Sequence, residues 1–521
     1  MAGAPGLRLS RRTLLQATAG GAFTATAGWG LRSSASAARP PRGPFRSALP
    51  IPRVLDGADL RLPIREAEIQ ILPGAPTRMW TYGGDFPGPT IRRPSGERTT
   101  VRFDHRLPPK AGELTVHLHG SHSRSADDGQ PGGLTPIQPR SLYCQIARAE
   151  SPEASGSDLL IRPGGSRTYT YDFVAEGAPT RAAMHWYHDH RLDNTGRNNW
   201  RGLAGMWITD DALDVSLPLP TGDRDIPLML SDRSFDQHNQ LTNPFRYAGH
   251  APNDGNVGRR ILVNGAVLPH HPVEGRRYRL RVLNASLFRA YNLAFSRPVP
   301  VLQIGTESGL LPAPIARNAL VIGPGERVDV VVDFSAVAGK DIELVSVPRT
   351  GGPKKLGSTT YVGPLMQFRV GRAVSDPASV PAVLRPLPDW VATAPAEPSH
   401  AWEITVGGGF RPAWLINGRT FDPGFVDHRV QLGTVATWRL RNRTSVAHLL
   451  HLHHTEFHML SRNGRPPAPW EAGLKETFFL DPGDDVLVAG RFSDYAGKYV
   501  VHCHMLDHED HGLMAQFQTY A

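Results

Sequence analysis

"KYVVHCHMLDHEDHGLM", residues 498–514, decides the fold class and the chemistry together. It opens apolar and β-branched, as a half-buried strand does. In a strand, successive side chains point to opposite faces, so residues i and i+2 share a face about 6.6 Å apart. His502 and His504 therefore aim at one place while Cys503, between them, aims at the other. His508 and Glu509 follow within a few residues.

Working outward, the same kind of strand recurs along the chain. "RTYTYDF" (167–173) alternates aromatic and polar residues. "RVDVVVDF" places Val328, Val330, Val332 and Phe334 on one face, and "DVLVAGRF" looks similar. Convincing amphipathic helices are scarce, while 53 Gly and 47 Pro supply frequent turns. The expectation is an all-β chain of Greek-key sandwiches or barrels. Residues 374–400 carry six prolines and little periodicity, as a linker does, and a weaker break falls near 210–225. At 521 residues the chain exceeds one ordinary core. The expected division is a leader over 1–38, then domains over 48–212, 213–373 and 401–521.

The formal charge is +9, but four of the arginines (Arg8, Arg11, Arg12, Arg32) lie in the leader, which has no acid, leaving +5 without them. No basic block with interleaved aromatics appears, so nucleic acid is not an expected partner. The leader pairs Arg11 with Arg12, continues through an uncharged stretch rich in Ala, Gly and Thr, and ends in A-x-A at Ala35–Ala37. It is too weakly apolar for a membrane anchor and has the form of a twin-arginine export signal. The expected location is periplasmic or extracellular, reached through the twin-arginine machinery, with no membrane span in the mature protein. Cys144 and Cys503 are the only cysteines. A metal-bound thiolate cannot also sit in a disulfide, so Cys144 is expected to be a free, buried thiol.

Four histidine clusters stand out: "HLHG" (His117, His119), "YHDH" (His188, His190), "HLLHLHH" (His448, His451, His453, His454) and "HCHMLDH" (His502, Cys503, His504, His508). A lone H-x-H is weak evidence of a metal; four clusters with a thiol in one are strong. A zinc finger would be richer in thiolate and have C-x-x-C spacing. Imidazole-dominated sites with one thiolate favour copper. With Cys503 facing away from its neighbours, it can hold one copper while His502 and His504 hold a separate cluster, only a few covalent bonds away.

These clusters, in this order, resemble the three-domain multicopper oxidases, the laccase family, over residues from about 50 to 521. "YHDH", "HCHMLDHED" and "GERVDVVVDFS" look most like the spore-coat laccase, bilirubin-oxidase-like and phenoxazinone-synthase-like members. The resemblance implies three cupredoxin domains and four copper ions, with a trinuclear cluster between the first and last domains. It implies a type 1 copper on His448, Cys503 and His508, and a type 2 copper on His117 and His451. It implies a type 3 pair on His119, His188 and His504 and on His190, His453 and His502. His122, His185, His454, His458 and His511 are left over as surface or supporting histidines.

Many bacterial relatives carry an axial methionine ten residues after the cysteine; here that position is Leu513, with Met514 one residue later. Leu513 cannot coordinate, which resembles the high-potential fungal laccases; the alternative is a rearrangement that lets Met514 reach the metal. Glu509 matches a family proton donor, and Asp128 matches the carboxylate near the type 2 copper, with Asp127 its rival. The implied activity is one-electron oxidation of phenols or aromatic amines coupled to reduction of O2 to water. A cuprous oxidase is the alternative, disfavoured because the nine methionines form no cluster. A non-enzymatic exported scaffold of this fold, which would have lost ligands, and a two-domain nitrite reductase fit less well.

Overall fold

Short β-branched and aromatic runs closed by Gly and Pro fold here as strands, which pair into sheets stacked two by two. The computed structural model describes residues 43–132, 159–243, 255–349, 361–407 and 413–521. The leader and Cys144 lie outside the described residues. Each stacked pair of sheets draws on one continuous stretch. A five-stranded and a four-stranded sheet come from 54–210, a seven-stranded and a five-stranded sheet from 225–373, and a six-stranded and a five-stranded sheet from 400–520. We refer to these as the first, middle and last segments. They are the stacked β-sandwiches of three consecutive cupredoxin-like units. Residues 42–521 form one compact unit.

Each sandwich has its own apolar filling. In the first, Ile64, Tyr82, Phe103, Tyr187 and Trp207 pack together. In the middle, Val328, Val330, Val332 and Phe334 share a core with Leu280 and Phe368, as their spacing predicts. The intervening Val331 is also buried, against Ile304, Leu310, Leu219 and Leu384. The strand Arg327–Asp333 runs between two neighbours inside the seven-stranded sheet, and both of its faces are covered. In the last segment, Trp402, Trp438, Phe457 and Phe517 surround a core that includes Cys503 and Leu513.

Short of the first sandwich, Leu49 packs into the middle core before Val54–Leu55 joins the first segment's sheet. The Pro-rich stretch 374–400 has no strand before His400 and is pinned along its length. Asp376 pairs with Arg224 and Arg277, and Arg385 with Asp211. Helices are few and short among the described residues: Thr195–Arg201, Ala212–Ser216 and Leu506–Asp510. None is long and apolar enough to cross a membrane.

Candidate metal centre

The strand Gly497–Cys503 pairs with His448–Leu452 on one side and Met514–Tyr520 on the other. The register sets His451 opposite His502 and Leu450 opposite Cys503. In the first segment, Val116–His119 pairs with Met184–Asp189, with His117 opposite His188 and His119 opposite Trp186. The two segments meet through these histidines. His119 Nε2 lies 2.9 Å from His188 Nε2 and 2.9 Å from His504 Nε2. His502 Nε2 lies 3.1 Å from His190 Nε2 and 3.2 Å from His453 Nε2. The Nε2 atoms of His117 and His451 are 3.3 Å apart.

The contact between His117 and His451 makes chemical sense only around a cation. The outward Nδ1 atoms of His117, His188 and His451 face the main-chain carbonyls of Asp128, Asp189 and Glu476 at 2.6, 2.7 and 3.1 Å. His453 Nδ1 faces the Asp128 carboxylate at 2.7 Å. Each of these Nδ1 atoms must donate, so each ring's Nε2 carries a bare lone pair. Lone pairs converging at about 3 Å repel unless a positive ion lies among them. Burial, aided by the neighbouring His190, pushes His188 down to about 3, and burial pushes His190 to about 4 against the pull of Glu509. These two imidazoles are thus neutral and ready to bind metal.

On the other side of the same strand a smaller group forms. Cys503 Sγ lies 3.6 Å from His448 Nδ1 and 3.7 Å from His508 Nδ1, and those two nitrogens are 3.2 Å apart. Metal–nitrogen bonds of about 2.0 Å and metal–sulfur bonds of about 2.3 Å place donors at about such separations. Thr444 Oγ1, 2.9 Å from His448 Nε2, turns the Nδ1 of that ring inward. The helix Leu506–Asp510 carries His508 back toward the thiol it follows. Burial pushes the Cys503 thiol up to about 12, so a metal ion is needed to displace its proton at neutral pH. The donor set fits copper: imidazole-rich, with a single soft thiolate.

Leu513 is fully buried in the apolar cluster that holds Cys503, Trp414 and Phe288, and its carbonyl accepts from the Cys503 amide at 3.0 Å. Met514 lies opposite His502 and packs on Leu192, Phe421 and Val500 instead. Asp128 sits against the imidazole group, with Oδ1 3.5 Å from His117 Nδ1 as well as its contact to His453. Burial, with Asp127 beside it, raises its carboxyl well above the ordinary value. Asp127 is only half-buried and makes no such contact. Glu509 is wholly buried, with Oε2 3.1 Å from His502 Nδ1 and Oε1 3.8 Å from His190 Nδ1. Burial opposes its charge, yet His190 and His502 draw it below the ordinary range.

The leftover histidines fall in no donor group among the described residues. His185 contacts the His119 carbonyl at 3.1 Å and Thr209 Oγ1 at 3.0 Å, and His122 pairs with Asp494 at 2.9 Å. Two neighbours of the site escape sequence reasoning. Trp186 stacks between His119 and His188, with ring centroids 4.7 and 4.3 Å away. Its place two residues before His188 was a usable signal, since both share a face. Glu476 brings a carboxylate oxygen to 3.5 Å from His119 Nδ1. Nothing in its surrounding sequence marks it.

Ten buried imidazoles and one buried thiol, grouped on the two sides of one strand, are the donor sets of a protein that could hold several metal ions. Comparison with known proteins narrows the class. Multicopper oxidase profiles match residues 63–157 and 394–521. A laccase of Bacillus stratosphericus is 33% identical over 495 residues, spanning 84% of this chain and 90% of its own. Bilirubin oxidase of Albifimbria verrucaria is 32% identical, spanning 84% of this chain and 72% of its own. A crystal structure of a laccase from Pediococcus acidilactici matches with a TM-score of 0.75 at 27% identity, covering 92% of this chain and 95% of that one. The chain belongs to the multicopper oxidase family, copper-dependent oxidoreductases that use O2.

Proposed function

We propose that this protein is an exported laccase-type oxidase that takes single electrons from phenols or aromatic amines and reduces O2 to water. The observation that carries this reading is the strand Gly497–Cys503. Its Cys503 belongs to the three-donor group with His448 and His508, and its His502, with His504 just beyond it, belongs to the imidazole cluster. Bound copper would supply the one-electron and oxygen chemistry. In this reading His448, Cys503 and His508 hold the type 1 ion and His117 and His451 the type 2 ion. His119, His188 and His504, with His190, His453 and His502, hold the type 3 pair, giving four coppers in all.

The chain's own groups do the rest. The main chain from Cys503 to His502 and to His504 is a covalent path of a few bonds between the two sites. Asp128 fixes the His453 ring and its proton on Nδ1. Glu509, sealed from solvent beside His190 and His502 and ionised at rest, would take up protons and relay them to the oxygen-reducing site. Leu513, packed in the cluster with Cys503, would offer a copper held there no further donor. A missing donor there would favour reduced copper and raise its potential. Twin-arginine export, which suits a protein that folds around its metal first, rests on the leader sequence alone.

An organic reductant is favoured over Cu(I) because every methionine from Met79 onward is buried, at 4% exposure or less. No exposed thioether is therefore offered to a soft ion among the described residues. The test is oxygen uptake by copper-loaded protein with a phenol and, in parallel, with Cu(I). Fast uptake with the phenol and slow uptake with Cu(I) is expected; the reverse would replace this reading with copper detoxification.

A further inference from the structure

The middle segment contributes none of the ten histidines or the cysteine of the two sites, yet it reaches the imidazole cluster through buried charges. Glu307 is wholly buried, and its Oε2 accepts the amides of Glu476 and Thr477, each at 2.9 Å. Its Oε1 lies 2.6 Å from Lys475 Nζ, which also meets Glu326 Oε1 at 3.0 Å. Three consecutive residues of the last segment, 475–477, are thus gripped by one carboxylate. Arg327, also buried, donates to the Glu476 carboxylate through Nη1 and to the Met184 carbonyl through Nε at 2.9 Å. Met184 begins the strand that carries His188, and His190 follows it directly. One guanidinium therefore ties the first segment's ligand strand to the last segment's Glu476.

Glu476 is the point where these grips converge on the metal site. Its main-chain carbonyl accepts from His451 Nδ1 at 3.1 Å, and Thr477 Oγ1 lies 3.2 Å from the same nitrogen. Its carboxylate faces His119 Nδ1 at 3.5 Å. Glu476 thus touches one ring from the His117–His451 pair and one from the His119–His188–His504 group. The same middle-segment turn presses on a third ring. Gly325 has φ +84°, and a Cβ there would come within 2.8 Å of His504.

We propose that Glu307 and Arg327 are positioning residues for the oxygen-reducing copper cluster, acting through Glu476 on the rings of His119 and His451. This rests on the copper reading given above. Groups that orient metal-ligating imidazoles are worth about 10- to 100-fold in metal affinity or activity. The clamp lies on the cluster side of the strand, whereas His448, Cys503 and His508 face the core of the last segment. Weakening it disturbs one site and spares the other.

Glu307→Gln, which keeps the shape but loses the charge and one acceptor oxygen, and Arg327→Lys, which keeps the charge but loses the fork, test this in copper-loaded full-length protein. The readouts are copper per chain, the type 2 electron paramagnetic resonance signal, the blue thiolate band and the rate at which a chelator strips copper. Expected are an altered or lost type 2 signal and chelator stripping tenfold or more faster. The blue band stays intact, and kcat falls with an unchanged KM for the reductant. The proposal is overturned if type 2 signal and stripping rate stay within twofold of the parent. It is overturned equally if the blue band fades in step with the cluster, or if neither variant yields folded protein, since the clamp then serves the fold alone. A parent protein that binds copper without a type 2 signal would instead overturn the copper reading itself.

Discussion

Stripping the copper should make this protein acid-labile, and the size of the effect follows from three buried rings. An unfolded histidine titrates near 6.5. In the folded chain, burial holds His188 and His448 at about 3 and His190 at about 4. Between those values and 6.5 the unfolded chain binds protons that the folded one refuses, so stability falls as pH falls. The loss ends only below about pH 3, where the folded rings protonate too. Each ring contributes about 1.4 kcal/mol per pH unit in that window. At pH 5 the three together remove about 6 kcal/mol, comparable with the 5–15 kcal/mol that holds ordinary domains folded. Burial also pushes His117, His119, His451, His453, His504 and His508 well down, and they act in the same direction. Bound metal adds stability but leaves these rings just as unprotonated, so the loaded protein starts higher and falls with the same slope. Thermal unfolding followed by near-ultraviolet circular dichroism at pH 7 and pH 5 measures both forms. The metal-free form should unfold at a lower midpoint at both pH values, and that midpoint should drop steeply from pH 7 to pH 5. A metal-free midpoint that does not move between pH 7 and pH 5 would refute the view that these rings are buried neutral and waiting for cations.

Three substitutions probe the sites separately. Cys503→Ser should abolish the blue band and phenol oxidation while the cluster coppers stay bound; a blue, active variant would remove Cys503 from the assignment. Leu513→Met supplies a thioether beside Cys503, so redox titration should show a lower type 1 potential and slower oxidation of phenols that are hard to oxidise. An unchanged potential would mean that Leu513 is not axial. Glu509→Gln should leave copper content and the blue band unchanged while oxygen reduction slows by about a hundredfold, the scale of a lost general acid; full turnover would assign proton delivery elsewhere.

The part of this molecule legible in sequence is the part governed by local periodicity. Alternation alone separates Cys503 from His502 and His504, and it groups Val328, Val330 and Val332. It could not show that Val331 is buried as well, because that depends on a second layer contributed by Leu219 and Leu384, distant in sequence. The same limit hides Glu476 and Thr444. Glu476 matters because strand Thr477–Leu480 pairs with His448–Leu452, and Thr444 because its loop folds back on His448. Asp127 and Asp128 are equivalent by composition; only the turn after Ser125–Asp127 decides which carboxylate meets His453. Long-range pairing, not residue type, selects these groups.

A cysteine set between two histidines solves a problem that neither residue type solves alone. An electron-accepting site and an oxygen-reducing site must not share ligands, or one metal would draw donors from the other, yet they must stay close and rigidly spaced. Opposite faces of one strand meet both demands, because the pleat separates the side chains while the main chain joins them. A register slip of one residue would exchange the faces, sending the thiol toward the imidazoles and His502 into the apolar core. Register is fixed on both edges, by His451 opposite His502 and by Met514 opposite His502. That second pairing also places Met514 on the histidine side and leaves Leu513 with the thiol. The absence of a thioether beside Cys503 is thus tied to the same register that keeps the thiol group and the imidazole cluster apart.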